Sequence, residues 1–176
     1  MTSDATRPGD LEAGPVRGVR WLLGAGVVAA IAVVAWWVTH PAALPTTEQP
    51  RTATTAVGTT VYVGVLGPTE NGARTLHVHG ADVSATDDGP DADVAAWVCR
   101  GGSIAQSTGP ERFCDAVLPA EGTELRLGGG DQLLVSVTSD EPGTVTVPRV
   151  ELAFRDGFQW GSQVAGSPLE VEVLGS

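Results

Sequence analysis

The chain has 176 residues, and its 10 basic side chains are all arginine, against 21 acids and a net charge of −11. Residues 1–39 carry three arginines and three acids, so the whole excess lies in residues 40–176, with seven arginines and eighteen acids. So acidic a region repels phosphate backbones and anionic lipid headgroups, which argues against nucleic acid or a membrane surface as its partner.

Residues 1–20 read as a short polar tail ending in Arg17 and Arg20. From Trp21 to Thr39 runs "WLLGAGVVAAIAVVAWWVT", nineteen residues without a charge. As a helix at about 1.5 Å per residue this stretch reaches roughly 28 Å, close to the hydrocarbon thickness of a bilayer. Trp21 at one end and Trp36 and Trp37 near the other match interfacial aromatic belts. The arginines precede the segment, and only His40 follows it closely. The positive-inside bias therefore predicts a cytoplasmic N-terminus and an extracytoplasmic remainder. A cleaved signal peptide is the competing expectation. Its apolar core would be about 7–15 residues, shorter than this one, and its leader would be more basic.

Residues 40–58, "HPAALPTTEQPRTATTAVG", hold Pro41, Pro45 and Pro50 with no hydrophobic period, the composition of a semi-extended linker. From residue 59 the pattern alternates. "TTVYVGVLG", "RTLHVHG", "DVAAWVC", "TELRLG", "DQLLVSVTS", "TVTVPRVELAF" and "PLEVEVLGS" read as strands. Turn clusters at Pro68–Gly72, Asp87–Pro90, Gly128–Gly130 and Glu141–Gly143 separate them. Pro148 predicts a bulge or an edge strand, and Asp156–Gly157 a type I′ hairpin turn into "FQWGSQ". The expected fold is all-β: a β-sandwich of seven or eight strands over residues 59–176, Ig-like in a loose sense, preceded by one transmembrane helix and the linker.

Cys99 and Cys114 are the only cysteines. Two thiolates without a neighbouring histidine make a poor zinc site, and neither CxxC nor CxxCH spacing occurs. Outside the cytoplasm the pair reads as a structural disulfide, closing a loop worth about 3 kcal/mol in the chain-entropy description. Trp97, two residues before Cys99, shares its face of the strand and is expected to pack on the bridge.

Other candidates are weaker. His77 and His79 project from one face of a strand, half of a metal site without an evident third ligand. Asp82, Asp87, Asp88, Asp91 and Asp93 form an acidic turn that could coordinate calcium, although EF-hand spacing is missing. Neither G-x-S-x-G nor S-x-x-K occurs, and Ser103 and Ser107 have no identifiable His-Asp partner. The most distinctive stretch is "FRDGFQWGSQ", where Arg155, Phe158 and Trp160 could form an interaction surface, the alternative being that the aromatics are core.

Helix 21–39, the spacer and a β-rich domain holding the Cys99–Cys114 pair together resemble, in layout, single-pass envelope proteins of GC-rich bacteria. That resemblance implies no activity and no functional residues. The expectation is a membrane-anchored extracytoplasmic accessory or protein-interaction module with no cofactor. Its partners would be the membrane, through helix 21–39, and another envelope protein. An envelope hydrolase and a metal-binding module built on His77 and His79 or the Asp82–Asp93 turn are the alternatives.

Overall fold

The computed structural model describes residues 17–67 and 74–175, with side chains from residue 26 onward. The expected turn at Pro68–Gly72 and most of the N-terminal tail lie outside the described residues. The chain divides into two compact units, Met1–Trp37 and Val38–Ser176.

The first unit contains nearly all of α1 (Arg17–Val38). Among the described residues no helix is long and apolar enough to cross a membrane, so the structure does not itself supply the expected span. Residues 21–25 of that span lie N-terminal to the described side chains. Within the described part, Val27, Val28, Ile31, Val33, Val34, Trp36 and Trp37 are all exposed.

The second unit is mostly β. It begins with β1 (Arg51–Ala56), β2 (Val61–Leu66), β3 (Arg74–Asp82) and β4 (Asp93–Arg100). Next come the short β5 (Gln106–Ser107), a 3-10 turn at Pro110–Arg112 and β6 (Ala116–Pro119). β7 (Glu124–Leu127), β8 (Gln132–Thr138) and β9 (Gly143–Val147) follow. β10 (Val150–Asp156), β11 (Gln159–Ala165) and β12 (Leu169–Leu174) complete it. These strands form three sheets, ordered β1-β12-β9, β11-β10-β3-β7 and β5-β2-β8-β4-β6. Every run predicted from alternation is found as strand, and β1, β5 and β6 are added to them.

Alternating burial explains why these runs hold together. β12 follows an in-out pattern with Leu169, Val171 and Val173 inside, and β7 does the same with Leu125 and Leu127. All three sheets feed one core, joined by side chains such as Val63, Val135, Phe154, Leu152, Val145 and Val171. β8 breaks the alternation: six of its seven residues are buried. Leu133, Val135 and Val137 face the shared core, while Leu134 enters a second cluster with Cys99, Cys114 and Ile104. The five-stranded sheet is therefore covered on both faces, and the segment between the cysteines covers the second.

Two expectations are corrected. The run through Pro148 is not one bulged strand, although β9, which ends just before it, is an edge strand as the alternative expectation had it. Proline lacks the N–H that a ladder needs, so the chain leaves one sheet at β9 and enters another at β10. The antiparallel partner breaks at the same level, with Val147 opposite Leu169 and Val150 opposite Ala165. The hairpin turn is also shifted. Asp156 pairs with Gln159, which leaves Gly157 and Phe158 as the two loop residues. Only Gly157 has positive φ, at 59°, the pattern of a type II′ turn with glycine first rather than the expected I′ turn at Asp156–Gly157.

The linker expected over residues 40–58 is in large part a component of the fold. β1 pairs in parallel with β12 along its whole length, from Arg51↔Leu169 to Ala56↔Leu174. Leu44 and Ala53 are buried in the core. Upstream, the backbone of residues 40–47 lies along β11. Gln163 donates to the Pro41 carbonyl at 3.2 Å and accepts from the Leu44 N–H at 2.8 Å. Thr47 donates to the Gly166 carbonyl, and Gly166 to the Pro45 carbonyl. Proline-rich composition marked this stretch as a semi-extended spacer. It carried no sign that side-chain amides and Arg74, which reaches the Ala42 and Ala43 carbonyls, would bind that chain down.

Gly64 of β2 lies where the inter-cysteine segment crosses the sheet. A Cβ there would sit 2.7 Å from Gln132 Cδ and closer still to the Ile104 carbonyl oxygen. Gly64→Ala is expected to cost about 1–3 kcal/mol through overpacking, measured by urea unfolding. Gly67→Ala, where a Cβ meets nothing within 4 Å, serves as the neutral control.

Candidate functional site

The inter-cysteine segment is held from three sides. The Cys99–Cys114 disulfide forms across a sequence separation of 15 with Cα atoms 5.3 Å apart. In its middle, Gln132 binds both backbone groups of one residue, accepting from the Ile104 N–H at 2.7 Å and donating to the Ile104 carbonyl at 3.0 Å. Beneath it, Trp97 packs into the disulfide cluster as expected. It meets Tyr62 edge-on at 6.1 Å and donates through Nε1 to Ser136 Oγ at 2.9 Å. A disulfide of this kind marks an oxidising, extracytoplasmic compartment.

The third hold is a buried carboxylate that sequence reasoning passed over. Asp131 precedes β8 and is fully buried. Arg126 of β7 donates to it three times, from Nε, Nη2 and the backbone N–H, at 3.0–3.1 Å. Arg100 of β4 donates at 3.2 Å, and the Gly101 N–H at 3.3 Å. One side chain thus ties two sheets and the root of the disulfide segment together. Burial alone would push the Asp131 carboxyl up. The Arg126 side-chain and backbone hydrogen bonds, the Gly101 N–H and the Arg100 charge outweigh it and hold the group below its ordinary value. Arg126 is raised in turn, chiefly by its hydrogen bond to Asp131. The available signal was Arg126 five residues before Asp131 across a triple-glycine turn.

The outward face of β3, β10 and β11 gathers the candidates named from sequence. Arg155 stands opposite His77 on one side and Trp160 on the other. Its guanidinium carbon lies 5.7 Å from the Trp160 ring centroid. His79 stacks on the same indole, 5.0 Å between centroids and 14° between planes. A register shift at Ala153/Phe154 leaves His79 without a partner residue on β10, since Val78 pairs with Phe154 and Gly80 with Ala153. His77 turns instead to Glu124, 3.4 Å away. The two histidines are thus engaged by different neighbours. Phe158, at 81 % exposure, and Trp160, at 50 %, lie on the surface rather than in the core.

The acidic stretch is spread over the end of β3, a turn and the start of β4. Among the described residues no three His, Cys, Asp or Glu side chains cluster as a metal site would require. Ser107 accepts from the Gly109 N–H at 3.0 Å, a local turn contact, and Ser103 is exposed. An open groove of about 670 Å³ runs past Ala81, Ala95, Ala120, Asp82, Glu121 and Glu151, with small side chains and carboxylates on its walls.

No protein-family model matches the chain, and no curated protein is significantly similar to it.

Two outcomes are expected. Asp131→Asn should destabilise the second unit by about 1–3 kcal/mol, since it leaves charged donors unmatched. Because the folded-state carboxyl lies below its unfolded value, 3.8, its stabilisation is present above that value and is lost as pH falls through the folded one. Urea midpoints measured over descending pH should therefore fall more steeply for the native chain than for the variant. Replacing Cys99 and Cys114 together by serine should cost about 2–5 kcal/mol and still leave the β signature in circular dichroism. Mass spectrometry of non-reduced protein should show the two joined within one chain.

Proposed function

We propose that the chain is a membrane-anchored extracytoplasmic module of a bacterial envelope, a non-catalytic accessory or interaction domain. Residues 21–39 are its signal anchor, and its three sheets close as a layered sandwich. The observation that carries the anchor is the exposure of Val27, Val28, Ile31, Val33, Val34 and Trp36, which at 100° per residue fall on every side of α1. A helix that is apolar all round, with its described apolar side chains exposed on every face, belongs in a lipid environment. The disulfide supports the compartment.

For the domain, a binding role is supported by the side chains it leaves exposed. Asp131 and Arg126 are spent on each other in a clasp rather than presented in a cleft. The outward aromatic and basic side chains of β10 and β11 offer a recognition surface instead.

A reporter that is active only outside the cytoplasm, fused after Ser176, is expected to be active. A cytoplasm-only reporter giving signal at that position would overturn the topology. N-terminal sequencing of the mature protein should retain residues 1–39, and a start near Ala42 would make it a secreted protein. Crosslinking in native membranes, followed by capture, identifies the partner.

A further inference from the structure

The hairpin joining β10 and β11 has an orientation relative to the start of the folded unit that follows from hydrogen bonds alone. Gln159, beside the hairpin tip, donates to the His40 carbonyl at 3.3 Å. Gln163, further along β11, takes the Pro41 carbonyl and the Leu44 N–H. At the far end of the strand, Thr46 bridges Gly166 in parallel register. The bound segment therefore starts at the tip and runs away from it. In sequence His40 directly follows Thr39, the last residue of the proposed anchor. The part of the domain closest in chain length to the bilayer is thus the tip, Gly157–Phe158.

The side chains there suit that place. Phe158 is among the most exposed large apolar residues described, at 81 %. Trp160, two positions on, carries its indole beside the Arg155 guanidinium. Arg155 Nε is buried with no hydrogen-bond partner among the described atoms. An aromatic at a turn tip, followed by tryptophan and arginine one step back, is the depth order of a bilayer interface: ring in the acyl boundary, indole and guanidinium at headgroup level. The domain's net negative charge does not oppose this contact, because apolar insertion rather than charge attraction drives it and the carboxylate beside the tip, Asp156, is paired with Arg74 at 2.8 Å.

We propose that the β10–β11 hairpin docks on the lipid surface of the outer leaflet, Phe158 entering the interface and Trp160 and Arg155 resting among the headgroups. This rests on the anchor reading and adds to it a second membrane contact that sets the domain's orientation. The test uses the full chain, with its native disulfide intact, in nanodiscs of zwitterionic lipid. Single cysteines carrying a nitroxide replace Phe158, Val164, Glu172 and Ile31 in turn. Collision with dissolved oxygen and with a water-soluble nickel complex reports depth. Ile31→Cys monitors the anchor. Phe158→Cys should collide several-fold less with nickel than Glu172→Cys. Val164→Cys, about 20 Å further along the strand, should match the aqueous control. Nickel access at position 158 equal to that at 172, with position 31 protected, overturns the docking and leaves the anchor standing. Nickel access at position 31 overturns both. The unlabelled variants Phe158→Ser and Trp160→Ser should keep the melting temperature nearly unchanged, and a large loss would show the tip to be structural.

Discussion

A strand that is apolar on both sides needs two covers, and β8 is such a strand. Its run "QLLVSV" has all six residues buried. The sheets β1-β12-β9 and β11-β10-β3-β7 supply one cover from regular structure. The other is made from the sixteen residues Cys99–Cys114, where Ile104, Pro110 and the cysteines themselves are the buried apolar groups. Such a segment cannot order itself by burial against the entropy of fixing its backbone. The disulfide, the two hydrogen bonds of Gln132 and the Asp131 clasp do that ordering. The position of the cysteines follows from the composition of β8, and so does the glycine at position 64, the only residue small enough beneath the crossing chain.

The same logic separates what was legible in the sequence from what was not. Strands with one wet face announce themselves by period two, so β3, β7 and β12 could be read directly. β1 could not. Its sequence "RTATTA" has two alanine methyls and no large apolar side chain, and its strand state comes from a parallel partner more than a hundred residues away. β5 and β6 are edge strands defined by their neighbours in the five-stranded sheet. The hairpin register slipped by one because Asp-Gly is a strong local signal. The cross-strand pairing of Arg155 with Trp160 decided otherwise and gave glycine the first loop position.

For the candidate surface, the sequence named Arg155, Phe158 and Trp160 and left their burial open. Phe158 and Trp160 are followed by Gly161 and Ser162, a pattern compatible with either face of a strand. The core settles it from the other side: Phe154 and Leu152 occupy the inward positions of β10, so their neighbours Arg155 and its partner Trp160 face out. The buried charge at Asp131 was invisible for a different reason. In a chain with 21 acids, no single aspartate stands out until its arginines are seen to converge on it.

The segment laid along β11 also has a mechanical meaning. It is bound by a row of individual hydrogen bonds beginning at His40, so tension applied from the N-terminal side loads the His40 end first and peels the row one bond at a time. Peeling opens the bonds singly until it reaches Leu44, whose buried side chain must then leave the core. By contrast, β1 runs parallel to β12 and is held by a full ladder, with Ala53 and Thr55 buried beneath it. Release would therefore stop at Arg51, having freed the eleven residues 40–50. At about 3.4 Å per residue that is roughly 37 Å of additional chain. Drawing out the proline-rich stretch therefore lengthens the chain ahead of β1 only as Leu44 leaves the core, so extension costs packing as well as hydrogen bonds.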